Sequence, residues 1–229
     1  MFINLRSAVR FALTTFLLAL SASVCSYAET IEVPTRGQYA KIDVRTLNET
    51  IRILKSGTDE QKQKKIGEIK AFPENYAPPV FYLLSDVLFQ QGEKDDAAFW
   101  FYAGQLRARF DANRCADVSA RDAVAVLNQE FGLPINQYMF HDIAKLEALI
   151  PKVVEWDRKT PHSYDPHWIN LHGMDAMITG LEGEKGRQRE GNLSLPKEQW
   201  EQIAENTRAD YLDGFHQAVA QAKKLTGGK

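Results

Sequence analysis

Three histidines, His162, His167 and His172, recur at intervals of five residues, with Asp157 and Asp165 close by. Imidazole nitrogens and carboxylate oxygens are the usual protein ligands of zinc. Five residues advance an α-helix by about 500°, so side chains at this spacing point about 140° apart. Helical metal motifs use a spacing of four residues instead. The pattern therefore indicates a zinc site only if the segment is a loop.

Two prolines, Pro161 and Pro166, make the first part of this segment a predicted loop. Large amphipathic side chains of the kind that anchor interfaces lie in or beside it. Three interpretations stay open: a packed loop that fixes neighbouring helices, a surface that contacts a partner or ligand, and a metal site. The packed loop is favoured, and no metal ligand is assigned. The candidate partner-binding residues are Trp156, His162, Tyr164, His167 and Trp168.

Other patterns that carry chemistry are missing from the sequence. There is no Gly-x-Ser-x-Gly elbow, no phosphate-binding glycine loop and no His-Glu-x-x-His motif. Cys115 could pair with a histidine only through the fold, and a small buried apolar side chain is the favoured interpretation over a reactive thiol. The sequence therefore favours a protein with no catalytic residues and no cofactor.

The first 28 residues have the features of a signal peptide. Arg6 and Arg10 precede an apolar run over residues 11–20, and Ser26 and Ala28 supply the small residues of a cleavage site. Lipidation at Cys25 is disfavoured because a valine precedes it, where lipoprotein signals carry a small residue. The sequence predicts export to the periplasm, and no later apolar run is long enough to span a membrane.

Removal of residues 1–28 leaves 201 residues, with 26 basic and 30 acidic side chains. A chain of this size can bury about 70% of its unfolded surface in one core. We therefore expect residues 29–229 to form a single domain. The net charge of about −4, without a basic cluster, argues against nucleic acid as a partner.

Apolar residues recur at helical spacing along almost the whole chain, which predicts an all-α fold. Thr58 and Gln61 have the spacing of a capping box. Gly132 and Pro134 are expected to end one helix, and Pro151 to kink or split another. Residues 182–193 are polar and glycine-rich and are expected to form an exposed, mobile linker. The only stretch with strand character is 30–33. The expected helices cover residues 43–54, 58–72, 78–91, about 95–111, 119–131, 142–156, about 165–181 and about 194–226.

Four consecutive aromatic residues, at positions 99–102, cover every side of a helix. A helix that is apolar on all sides is normally buried. The segment FYLLSDVLFQQGEKDDAAFWFYAGQL resembles one unit of the tetratricopeptide family of helical-hairpin repeats, over residues 78–111. The resemblance rests on Leu84 with Ser85, the turn glycine Gly92, and the small residues Ala97 and Gly104 around Phe101. It implies a scaffold that binds proteins or peptides, usually without catalysis. No second clean copy is found, so a bundle with one such hairpin remains an alternative.

Together these observations predict a non-catalytic protein-binding module of the periplasm. Its partner is expected to be another protein of the cell envelope. The more specific hypothesis is an immunity or inhibitor protein that neutralises a secreted, envelope-targeted effector. The alternative is a periplasmic small-molecule binder or a metal-dependent hydrolase that uses the loop at residues 162–172.

Overall fold

The computed structural model describes residues 33–182 and 191–225. The described residues belong to one compact unit that begins at Val33. The expected signal peptide, the site of possible lipidation and most of the 30–33 stretch lie outside them. Residues 183–190 of the expected linker lie outside them too.

The described residues form an all-α fold, as predicted, and contain no β-strand; one isolated antiparallel bridge joins Cys115 and Ser194. Short 3₁₀ segments separate several of the helices. Within the described ranges, no helix combines the length and the apolar character needed to cross a membrane. The helices are α1 (Arg45–Ser56), α2 (Asp59–Ala71), α3 (Pro78–Gln90), α4 (Lys94–Arg114), α5 (Asp122–Phe140), α6 (Ile143–Lys159), α7 (Met174–Glu182) and α8 (Trp200–Leu225).

Helix α4 lies at the centre of the fold and packs against α3, α5, α6 and α8. The aromatic run lies on this helix, and three of its four members, Trp100, Phe101 and Tyr102, are at most 5% exposed. Phe99 is half-buried against the same core. The prediction that the run is core packing is confirmed. The central position of α4 shapes the site described below, because the charged residues of this helix must find their bonding partners inside the protein.

Helices α3 and α4 form a tightly packed hairpin. Gly92 makes the turn with a φ of 87°, a conformation that side chains with a Cβ rarely adopt. A Cβ added to Gly104 would lie 3.0 Å from Phe81 Cβ, so the two helices approach closely at this position. Ser85 and Ala97 are fully buried. The small residues therefore have the packing role that the sequence assigned to them, whereas membership of a repeat family stays a prediction.

The expected end of a helix at Gly132 and Pro134 is wrong, because α5 continues through both residues. Proline inside a helix costs about 3 kcal/mol, since it removes a hydrogen bond and crowds the preceding turn. Beyond it, Ile135 and Met139 are at most 2% exposed. Burial of two such side chains contributes about 1.5–3 kcal/mol each, which offsets that cost. Pro151 likewise does not split its helix, because α6 runs unbroken through it.

A single helix over about 165–181 is also a wrong expectation. The structure has a 3₁₀ helix at Pro166–His172, a break at Gly173, and then α7. At the break, a Cβ on Gly173 would lie 2.2 Å from Asp117 Oδ2, so a larger residue would have to displace the Asp117 side chain. The last helix begins at Trp200, after a short 3₁₀ turn at Lys197–Gln199, and so starts later than expected.

Candidate functional site

Three charged residues on one face of α4 organise the surroundings of the candidate site. Arg107, Asp111 and Arg114 follow one another at spacings of four and three residues, and all are fully buried. Such spacing places them on the same side of the helix. A buried charge is tolerated only when it is paired and hydrogen-bonded. Their partners come from the segment at residues 160–172, here called the histidine loop, from α6, and from Ser194.

Arg107 binds the start of the histidine loop. Its Nε donates to Asp157 Oδ1 at 3.0 Å. Its terminal nitrogens donate to the carbonyl oxygens of Thr160 at 2.7 Å and Pro161 at 3.3 Å. The guanidinium also lies 4.5 Å from the centre of the Trp156 ring. One side chain of α4 thus fixes both the end of α6 and the first turn of the loop.

Asp111 and Arg114 bind the rest of the histidine loop. Trp168 Nε1 donates to Asp111 Oδ2 at 2.7 Å, and the Tyr164 hydroxyl donates to the same oxygen at 3.1 Å. Arg114 donates to the Pro166 carbonyl oxygen and to the Ser194 hydroxyl. Burial raises the pKa of Asp111, against the opposing charge of Arg114. Side chains of α4 therefore hold the loop at its start and in its middle.

Asp157 connects this network to α8. Arg208 Nε donates to its Oδ2 at 2.8 Å, opposite the bond from Arg107. Burial alone would raise the pKa of Asp157. The hydrogen bond with His162 and the charges of Arg107 and Arg208 outweigh that effect and lower the pKa to about 2. Asp157 is therefore a carboxylate at neutral pH.

A groove of about 560 Å³ lies between the histidine loop, the end of α6 and the start of α8. The loop contributes His162, Tyr164 and His167 to its lining, and α8 contributes Trp200 and Arg208. Charged residues of both signs surround it, and most of them are on the surface. These rim residues are Arg158, Lys159, Asp165, Lys197 and Glu201.

Each of the two groove histidines contacts a carboxylate. His162 Nε2 lies 3.2 Å from Asp157 Oδ1, and its ring packs 4.9 Å from that of Phe110. His167 Nδ1 lies 2.8 Å from Asp165 Oδ1. These contacts fix the orientation of both rings. Among residues 33–182 and 191–225, no hydrogen bond is made to the other nitrogen of either ring.

The structure divides the predicted partner-binding residues into two groups. Trp168 is 2% exposed and bonded to Asp111, so its side chain supports the loop from inside. Trp156 packs edge-on against an aromatic cluster, with ring centres 5.6 Å from Phe99 and from Trp100. Neither lines the groove, whereas His162, Tyr164 and His167 do.

The three histidines of the sequence pattern do not converge. His162 and His167 contact different carboxylates, and the His172 ring packs 5.8 Å from the Trp168 ring. In residues 33–182 and 191–225, no group of three or more His, Cys, Asp or Glu side chains is arranged to hold a metal ion. The zinc interpretation of the five-residue spacing therefore has no ligand set in the described structure.

Sequence reasoning missed the α4 charges, Arg208 and Trp200. The sequence does contain a signal for the α4 charges. One face of this helix carries Arg107, Asp111 and Arg114, and the aromatic run of the same helix already indicates burial. Charges on a buried helix require partners, and the nearby polar loop supplies them. Nothing comparable marks Arg208, because it lies in a helix with many charged positions and its partner is distant in the chain.

Comparisons of the chain with family models, with curated proteins and with solved structures give no match.

Proposed function

We propose that this protein is a non-catalytic protein-binding module of the bacterial periplasm and that its partner binds in the groove beside the histidine loop. One observation carries the proposal: His162, Tyr164 and His167 line one side of a groove whose other side includes Trp200. Tyrosine and tryptophan are among the residues that supply most of the binding energy at protein interfaces.

The support beneath the groove favours recognition of a partner without rearrangement. The histidine loop carries the groove residues, and buried charges of α4 bond to its backbone and side chains. A binding surface that is already ordered loses little conformational entropy on association. A loop held in this way is suited to binding a protein segment of fixed shape.

The charges around the groove also favour a protein partner. The rim carries three basic residues, Arg158, Lys159 and Lys197, together with the acidic residues Asp165 and Glu201. Protein interfaces commonly have an aromatic centre and a polar rim of this type. A nucleic acid would require a surface of one sign, which this rim does not supply.

The compartment and the resemblance suggest what the partner is. Export through residues 1–28 would place the module in the periplasm, and the α3–α4 hairpin resembles a unit of a protein-binding repeat family. We infer that the partner is a protein of the cell envelope. Within that class, an effector directed at the envelope is the specific candidate, and the protein would then act as its immunity or inhibitor protein.

The test is capture of a partner from periplasmic extract, followed by its loss on substitution in the groove. His167→Ala and Trp200→Ala should each weaken capture of the same protein, because both side chains face the groove. Lys64→Ala, on the exposed side of α2, is the matched control and should leave capture unchanged. Circular dichroism would verify that each variant is folded. Capture that is equal for folded groove variants and the control would contradict the proposal.

A small-molecule ligand is the second candidate, and the size of the groove favours it. A volume of about 560 Å³ lies within the range of about 300–1,000 Å³ that is typical of ligand pockets. In that case thermal stability should rise with a compound from periplasmic extract that passes a small-pore filter, and His167→Ala should abolish the rise. Metal-dependent hydrolysis is less well supported than binding of a small molecule, because the described residues provide no group of three metal ligands in the groove.

A further inference from the structure

A second cavity, of about 380 Å³, lies between α4, α5 and α8. Helix α4 forms its floor, because α5 and α8 both pack on this helix. The lining residues of each helix are spaced by three or four positions, so each helix turns one face towards the cavity. We call it the arginine cavity. Its polar lining residues include Arg109, Asn113, Arg121, Asn128, Thr207 and Asp210.

Hydrogen bonds hold the three helices around the arginine cavity. Gln105 of α4 connects α5 with α8: its Nε2 donates to Asn128 Oδ1 at 2.9 Å, and the Tyr211 hydroxyl donates to its Oε1 at 2.9 Å. One turn earlier in α8, Thr207 Oγ1 accepts a hydrogen bond of 2.9 Å from Asn113 Nδ2. The relative positions of the lining residues are therefore set without a ligand.

Asn128 offers a hydrogen-bond donor to the cavity. Its Oδ1 accepts from the Tyr82 hydroxyl at 2.8 Å as well as from Gln105. An amide oxygen has two lone pairs, so both are in use, and the Nδ2 group is what remains for a ligand. Within the described ranges, no residue accepts a hydrogen bond from Asn128 Nδ2. A ligand at this wall must therefore supply an acceptor.

Two guanidinium groups add positive charge to the same cavity. The Arg109 guanidinium lies 5.2 Å from the centre of the Tyr211 ring. Burial raises the pKa of Tyr82 and of Tyr211, and the charge of Arg109 opposes both shifts, so this charge lies near the hydrogen bonds beneath the cavity. Among residues 33–182 and 191–225, neither Arg109 nor Arg121 forms an ion pair. Guanidinium groups of this kind bind carboxylates through paired N–H donors.

The remaining charge and the size of the cavity restrict the ligand further. Asp210 is the one acidic residue of the described lining. A carboxylate at this position repels a second negative charge on the ligand and attracts an ammonium group. The volume of about 380 Å³ is near the lower end of the range of about 300–1,000 Å³ that is typical of ligand pockets. A small molecule that carries both a carboxylate and an ammonium group matches these features.

We propose that the arginine cavity binds a free α-amino acid. Arg109 and Arg121 pair with the α-carboxylate, which also accepts a hydrogen bond from Asn128 Nδ2. The α-ammonium group pairs with Asp210. The inference is independent of the proposed partner groove, because the two sites share no described lining residue.

The test is a thermal-shift screen of the purified protein with the protein amino acids, followed by calorimetric titration with each one that raises the melting temperature. The expected result is one site per chain. Arg109→Gln and Arg121→Gln should each weaken binding at least about tenfold, because a hydrogen bond to a charged group contributes at least that factor. Asp210→Asn should weaken binding of the amino acid but leave the affinity for the corresponding acid without an amino group unchanged.

Controls separate the cavity from general effects and from the groove. Arg52→Gln changes an exposed arginine of α1 and should leave the affinity unchanged. Circular dichroism would verify the fold of each variant. An amino acid whose carboxylate is replaced by an amide should not bind. The proposal would be overturned if no amino acid raised the melting temperature, if inorganic phosphate bound as tightly as the amino acid, or if His167→Ala abolished binding while both arginine variants retained it.

Discussion

Asp157 connects the helices α4 and α8 to the histidine loop beside the groove. It accepts hydrogen bonds from Arg107 on α4 and from Arg208 on α8, and it also contacts His162 in the groove. Removal of one member of a buried ion pair leaves an uncompensated charge, which typically costs about 3–5 kcal/mol. We expect Asp157→Asn to destabilise the fold and to release the histidine loop together with the end of α6.

The lowered pKa of Asp157 gives this destabilisation a defined pH dependence. The folded value is about 2, whereas an unfolded chain has about 3.9. The carboxylate therefore stabilises the fold fully above about pH 5, and the contribution, of about 3 kcal/mol, is lost as the pH falls through 2. Urea unfolding of wild type and Asp157→Asn, followed by circular dichroism, should give a difference in unfolding free energy that shrinks over this window.

Wild type and Asp157→Asn must be compared, because the pKa of Asp111 is shifted in the opposite direction from that of Asp157. The pKa of Asp111 is raised by burial, so its contribution changes at higher pH and is common to both proteins. The difference between them isolates Asp157. A difference that stays constant from pH 5 to pH 2 would contradict the assignment of Asp157 as a charged centre.

The histidine loop shows what residue types can and cannot predict. The loop itself followed from Pro161 and Pro166, and the preference for a packed loop agrees with the buried Trp168. The groove did not follow, because its second side comes from Trp200 and Arg208, which are distant in sequence. No local pattern specifies such a pairing. It depends on how α8 packs against α6, which only the whole fold determines.

At the scale of elements, the contact between α3 and α4 depends on the absence of a side chain at Gly104. A Cβ there would lie 3.0 Å from Phe81 Cβ and 3.2 Å from Tyr82 Cδ2. Gly104→Leu would force the helices apart, and overpacking of this kind typically costs about 1–3 kcal/mol or more. Thermal unfolding should show a lower melting temperature for this variant.

Gly67 provides the matched control in a neighbouring helix. It lies in α2 with nothing within 4 Å of the position of its missing Cβ. Gly67→Ala should therefore stabilise the protein by about 0.5–1 kcal/mol through helix propensity alone. If Gly104→Leu were equally harmless, the close approach of α3 and α4 would not be a determinant of the fold.

The boundaries of elements could be predicted where local chemistry sets them. Thr58 and Gln61 form the expected capping box, with both hydrogen bonds present. Pro134 misled the prediction, and Pro151 does not split its helix, because both helices gain burial on the far side of the proline. The break at Gly173 was missed for a related reason: it arises from contact with Asp117, which lies more than 50 residues away.

At the scale of the whole molecule, Cys115 lies where the last part of the chain returns to α4. The Leu195 N–H donates to the Arg114 carbonyl oxygen, and the Ala116 N–H donates to the Leu193 carbonyl oxygen. These bonds hold residues 193–195, the end of the expected linker, against the buried core. Cys115 is 2% exposed, which agrees with the interpretation as a small buried side chain.

Burial raises the pKa of the Cys115 thiol, so the reactive thiolate is disfavoured in the native protein. We expect negligible labelling by a thiol reagent under native conditions and rapid labelling in urea. The midpoint of labelling should coincide with that of unfolding measured by circular dichroism. The test uses Cys25→Ala protein, so that only Cys115 reports. Rapid native labelling would mean that residues 193–195 separate readily from α4.

The placement of the four tryptophans has an optical consequence. Trp100, Trp156 and Trp168 lie within the packed interior or its edge, whereas Trp200 lines the groove and packs 5.0 Å from the Arg114 guanidinium. Anything that enters the groove changes the polarity around one indole and leaves the other three in place. Trp200 should therefore report on the groove by its fluorescence. The emission that is lost in Trp200→Phe should be the emission whose wavelength shifts when the groove is filled.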